Sequence, residues 1–175
     1  FLGFKLFILI VATTILMWLY ANHLKRTVLV GNILISALTG IAVFMPALLY
    51  PPYEITLIFY ACFAFFISFI REIIKDMEDV KGDEEFGCKT LPIVWGIRKT
   101  KTVIYAISLT CFVAIGSMLM HANSNLQLYF LFLPVPLFIW LLIQLVKADT
   151  SVQFLTLSHF CKVIMLIGVI SMVFL

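Results

Sequence analysis

Apolar residues run along this chain in six stretches, approximately Leu2–Tyr20, Val28–Leu49, Ile55–Ile70, Val103–Met120, Leu128–Val146 and Phe154–Leu175. Each is near the roughly 20 residues that a helix needs to cross the hydrocarbon core of a bilayer. A chain in lipid must satisfy its own backbone polar groups, and a helix does so within one segment. The pattern therefore predicts an all-α, polytopic transmembrane bundle with six spans present. The third stretch is short, and its helix is expected to continue into the charged residues that follow. Pro51 and Pro52 punctuate one connection, and Pro134 and Pro136 predict a kink inside the fifth span. No soluble domain, linker, low-complexity tract or internal repeat interrupts the pattern, so residues 1–175 read as one transmembrane domain.

Composition strengthens the membrane class. Hydrophobic residues make up 63% of the chain, charged residues 12%, and the mean hydropathy is +1.14. Soluble domains carry about twice that charge. A net charge of +3, confined to a few connections, argues for membrane orientation and against nucleic-acid binding. Cys62, Cys88, Cys111 and Cys161 are widely spaced, with no CxxC pair, and read as small buried hydrophobes instead of a disulfide framework.

Lysine and arginine placement predicts the orientation. Lys25 and Arg26 occupy the first connection, Lys147 the fifth, and seven basic residues from Arg71 to Lys101 the third. The connections around Pro51 and Asn123 hold none. The odd connections are therefore expected on the cytoplasmic side, making this a multi-pass integral membrane protein with its charged loops facing inward. Lys5 and Lys162 depart from the pattern and are placed to snorkel or to face a polar interior.

Candidate chemistry concentrates in the run Arg71–Ile93, REIIKDMEDVKGDEEFGCKTLPI. At about 100° per residue, Glu72, Asp76, Asp79 and Asp83 fall within an arc of roughly 60° if the helix persists, while Glu78 points elsewhere. Carboxylates three or four apart on a helix are near neighbours, able to share a divalent ion and mutually repulsive without one. Oxygen ligands of this kind suit Mg²⁺, which binds one or two carboxylates together with substrate phosphates. Gly82 is a candidate helix end, which leaves Asp83 the least fixed member of the face. Composition alone leaves a solvated charged loop equally open. The start of the acids directly at a membrane span, and the basic residues falling largely off their face, favour the ion-binding reading. Lys75 flanks the arc, placed either to meet a phosphate or to anchor the helix end at the membrane surface.

This run resembles the second aspartate-rich motif of the UbiA superfamily of intramembrane prenyltransferases. The resemblance extends upstream to YANHLKR over residues 20–26 and to Gly31 and Asn32. It implies a lateral, lipid-facing cavity among about nine transmembrane helices, with Mg²⁺ and the diphosphate of a polyprenyl donor held between two aspartate-rich motifs. Asp76, Asp79 and Asp83 would then be the catalytic carboxylates of the second motif, holding the metal with Glu72. Lys25, Arg26, Asn32 and Lys75 would bind the diphosphate. For Lys25 and Arg26 the positive-inside bias is the alternative, and for Asn32 a hydrogen bond between helices.

One departure stands out. The family's first motif is absent, and residues 1–53 contain neither Asp nor Glu. The six spans correspond to the family's last six, so the chain is expected to be the C-terminal two-thirds of such a domain and to be inactive alone. The acidic run is most similar to the branch that makes digeranylgeranylglyceryl phosphate, which implies a geranylgeranyl diphosphate donor and the lipophilic acceptor geranylgeranylglyceryl phosphate. A quinone or haem precursor remains an alternative acceptor. Outside that class stand a transporter and a non-catalytic membrane partner.

Overall fold

The computed structural model describes residues 2–49, 55–120 and 124–174. Every regular element among them is a helix: α1 (Leu2–Asn22), α2 (Val30–Leu49), α3 (Ile55–Glu78), α4 (Val80–Glu85), α5 (Leu91–Leu119), α6 (Ser124–Phe132), α7 (Pro134–Lys147) and α8 (Ser151–Ile170). Short 3₁₀ turns follow α1, at Leu24–Arg26, and α8, at Ser171–Phe174. The connections at Pro51–Pro52 and at Asn123, and the side chain of Lys5, lie outside the described residues.

All six apolar stretches form helix. Four reach the length and hydropathy needed to cross a membrane: Leu57–Glu78, Leu91–Leu119, Ser124–Lys147 (α6 with α7) and Ser151–Val173. Leu6–Asn22 and Val30–Met45 are shorter apolar helices among the described residues. The protein is an integral membrane protein, and its exposed surface agrees. Leu109, Val113 and Leu166 point outward on α5 and α8, where a lipid surface accepts them at no cost.

The centre of the bundle is α3, which packs against α2, α5 and α8. It buries Tyr60, Phe63, Ile67, Ile70, Ile73, Ile74 and Met77 on several sides. Small residues set the closest approaches, as packing in lipid requires. A Cβ on Gly40 of α2 would stand 3.0 Å from the Ala61 carbonyl oxygen, and one on Gly168 of α8 would collide with the Phe63 ring. Hydroxyls inside the bundle find partners. Thr39 meets Ser68 at 3.3 Å, Tyr60 meets Ser171 at 2.7 Å, and Tyr105 and Tyr129 donate to the carbonyls of Leu142 and Ile167.

Several helix boundaries differ from those the hydrophobic pattern predicts. The fourth span begins at Leu91, twelve residues before Val103, because Thr90 is extended and Pro92 starts the helix. Arg98, Lys99 and Lys101 therefore ride on α5 instead of in a loop. Gly96 bends that helix with φ 80°, a conformation that favours glycine. The kink expected from Pro134 and Pro136 falls at Leu133, where Pro134 opens α7 within one span, Ser124–Lys147. A capping box of Thr150 and Gln153 opens α8 at Ser151, ahead of the predicted Phe154. Cys88, Cys111 and Cys161 are buried and Cys62 half-buried, all four as free thiols.

Candidate functional site

The acidic segment sits where α3 leaves the apolar core. The helix runs through Glu72 and Asp76 to Glu78, bends at Asp79, and resumes as α4 through Gly82 to Glu85. Gly82 does not end it; the break comes three residues earlier. Backbone bonds from Asp79 N–H to the Lys75 carbonyl (3.0 Å) and from Asp83 N–H to the Asp79 carbonyl (2.9 Å) carry the helical register across the bend. Asp76, Asp79 and Asp83 therefore stay within electrostatic reach of one another, as their spacing predicts.

Their surroundings separate them. Asp76 turns toward α2, where the Asn32 side-chain amide donates to its Oδ2 at 2.7 Å. Asn32 is only 9% exposed, and its backbone carbonyl accepts the Ser36 hydroxyl at 2.6 Å within α2. Of the two readings open for Asn32, the structure forms the hydrogen bond between helices. Glu72 lies one turn deeper, buried and ion-paired with Arg71. That pairing takes up a carboxylate expected to be free for a cation. Glu78, on another face, accepts from Ser158 of α8 at 3.4 Å.

Asp79 and Asp83 open into a cleft of about 760 Å³, shared with Lys25, Glu78, Lys81, Asp149 and Phe154. Burial raises the Asp83 carboxyl above its ordinary value of 3.8, and Asp79 raises it further. Lys25, Lys75 and the Thr90 hydroxyl pull it back. Thr90 is 4% exposed, and its hydroxyl lies beside Asp83 short of hydrogen-bond geometry, buried and unpaired. A carboxylate raised first by burial and then by Asp79 is one that nearby positive charge stabilises.

The basic turn is seated by backbone. Gly31 lets Leu24 approach α2, since a Cβ there would stand 2.8 Å from the Leu24 carbonyl oxygen and 3.1 Å from the Tyr20 ring. The Arg26 carbonyl accepts the Lys89 N–H at 3.0 Å, tying the turn to the segment that follows α4. Lys25 thereby reaches the field of Asp83, and Tyr20 the field of Glu72, Asp76 and Asp83. Leu29, between turn and helix, is held at φ 62°, an uncommon conformation for a non-glycine residue. Of the residues expected from the sequence, Lys25, Asp79 and Asp83 line the cleft, Asp76 is bonded to Asn32, Lys75 lies within the field of Asp83, Glu72 is ion-paired with Arg71, and Arg26 engages through its backbone. Sequence reasoning missed Lys81 and Thr90, which lie within the acidic run itself, and Asp149, which arrives through tertiary packing and carries no local signal.

Among the described residues no three Asp, Glu, His or Cys side chains converge as a complete metal site. The donor set nevertheless fits Mg²⁺, which takes one or two carboxylates and completes its shell with water and phosphate oxygens. Asp79 and Asp83 face the open cleft and are the residues placed to hold such an ion, with Asp76 behind them.

Residues 1–160 match the UbiA prenyltransferase family. The digeranylgeranylglyceryl phosphate synthase of Methanosphaera stadtmanae is 30% identical over 167 residues, covering 94% of this chain and 60% of that protein. The synthase of the same name from Methanothermobacter thermautotrophicus is 32% identical over 164 residues, covering 93% of this chain and 58% of its own length. That of Thermococcus sibiricus is 36% identical over 113 residues, or 65% of this chain and 40% of that one. The chain thus spans at most 60% of the length of these relatives. No solved structure matches it. With an aspartate-bearing helix end under a basic turn in an all-helical membrane bundle, and a match over nearly its whole length, the chain belongs to the UbiA prenyltransferase family.

Proposed function

We propose that residues 1–175 form part of one UbiA-like domain that transfers a polyprenyl group from an allylic diphosphate to geranylgeranylglyceryl phosphate, with Mg²⁺. The observation that carries the reading is the grouping of Asp76, Asp79 and Asp83 beneath Lys25 at the polar end of a membrane bundle. The acceptor rests on relatives named digeranylgeranylglyceryl phosphate synthase. In the reaction the bond between the allylic carbon and the diphosphate oxygen breaks, and the acceptor hydroxyl oxygen bonds that carbon and releases its proton. When bound, Mg²⁺ supplies Lewis acidity that draws charge from the diphosphate. Lys25 and Lys75 stabilise the negative charge that grows on the leaving group. Asn32 orients Asp76 through the 2.7 Å bond, and the apolar faces of the bundle keep water from the allylic cation. The acidic end is placed on the cytoplasmic side.

The test supplies the protein, expressed from its complete reading frame, with radiolabelled geranylgeranyl diphosphate, geranylgeranylglyceryl phosphate and Mg²⁺. The expected product is the digeranylgeranyl ether, lost on chelation with EDTA. Transfer to a quinone precursor in its place would overturn the acceptor assignment. Full turnover in EDTA would overturn the metal.

A further inference from the structure

Between α5 and the end of α7 lies a second polar cleft, of about 510 Å³, lined by Ile97, Arg98, Lys101, Thr102, Tyr105, Val146 and Asp149. Five of these residues recur at helical spacing along one face of α5, and three of them, Tyr105, Lys101 and Arg98, form a ladder against the end of α7. The lowest rung is Tyr105, whose hydroxyl donates to the Leu142 carbonyl at 3.2 Å. One turn on, the Lys101 ammonium donates to the Val146 carbonyl at 3.3 Å and to Asp149 at 3.1 Å. The next turn brings Arg98, and here the ladder has no partner. Among the described residues its guanidinium forms neither an ion pair nor a hydrogen bond, although it is the group best built for bidentate binding of an oxyanion.

The charges of the cleft are Arg98, Lys101 and Asp149, a net of one positive. Lys101 is already committed to Asp149 and to the carbonyl end of α7, which leaves the charge of Arg98 unanswered. We infer that the Arg98 cleft binds the phosphate of an anionic phospholipid headgroup. Three features select a lipid over a soluble anion. Trp95, half-exposed just before Arg98, is the residue type that marks the membrane–water boundary. Below the cleft, Leu109 and Val113 of α5 and Ile143 and Val146 of α7 face outward and offer an apolar track for acyl chains. A basic cleft between membrane helices with one uncompensated charge complements one phosphodiester monoanion. Ile97 and Asp149 stand between this cleft and the acidic one, so the inference does not depend on the transfer reaction.

The experiment uses the full chain in neutral detergent and native mass spectrometry with dioctanoyl phosphatidylglycerol, referenced to dioctanoyl phosphatidylcholine. The protein is expected to prefer phosphatidylglycerol, and R98Q to lose about fivefold of that preference. Arg98 is exposed and unpaired, so its replacement leaves folding intact. Lys99 is also exposed on α5 but does not line the cleft, so K99Q is expected to keep the preference. Equal loss in K99Q would assign the effect to diffuse surface charge and overturn the site. Absence of any preference would overturn it as well. Displacement of phosphatidylglycerol by millimolar inorganic phosphate would overturn the lipid as occupant, reassigning the cleft to soluble phosphates.

Discussion

At the scale of single residues, the acidic segment divides its labour by burial. Asp76 is fixed by Asn32 and points between helices, while Asp79 is exposed to the cleft. Replacing either with Asn keeps the shape and removes the charge. D76N and D79N are each expected to lower transfer by at least about 100-fold, the scale set by a misplaced reacting group, with membrane insertion unchanged. Turnover assays paired with membrane fractionation check this. Asp83 has a different signature, because burial and Asp79 hold its folded-state carboxyl above 3.8. A raised folded-state value means that the unfolded chain ionises first, so stability falls as pH rises through the folded value. D83N removes that effect and is expected to raise Tm at pH 7 without divalent cations, by on the order of 1–2 °C given its exposure. Transfer falls in the same variant. An unchanged or lowered Tm in cation-free buffer would mean that Asp83 is not held in repulsion.

Helix-scale features decide whether those residues meet. The spacing of Asp76, Asp79 and Asp83 was readable because three- and four-residue intervals share a helix face, and that survives the bend at Asp79. The pairing of Glu72 with its neighbour Arg71 was not readable, since the same interval argument placed it with the aspartates. Nor was the descent of Asp149 and Thr150 onto the cleft, which depends on how α7 and α8 turn at their junction. The span boundaries show the same division. Apolar runs marked where helices cross lipid, but α5 begins twelve residues early because helix in a polar segment leaves no hydropathy signal. Gly31 is the tightest contact at the site. A methyl group there meets a backbone carbonyl at 2.8 Å, so the turn bearing Lys25 must shift. G31A is expected to raise KM for the prenyl diphosphate more than it lowers kcat, as initial-rate kinetics on the full chain would read. An equal fall in kcat at unchanged KM would separate the turn from substrate binding.

For the molecule as a whole, orientation follows from charge. The Lys/Arg bias predicts the acidic end inside, and Glu85, exposed on α4, is a better reporter than Cys88, which is buried. In a variant carrying E85C, labelling of intact cells by a membrane-impermeant maleimide is expected to fail and labelling of inverted vesicles to succeed; the reverse pattern would invert the topology. The bond between the Arg26 carbonyl and the Lys89 N–H bears on how that topology arises. Its two ends are about sixty residues apart in the chain, and a ribosome adding roughly 5–20 residues per second needs about 3–12 s to make the interval. Asp76 follows Arg26 by fifty residues, so the basic turn is made before Asp76, Asp79 and Asp83 are translated. Lys25 and Arg26 are therefore expected to meet the translocation machinery as bare positive charge, before any acid in this segment exists to neutralise them. The clip between Arg26 and Lys89 closes only afterwards, once the acids are made.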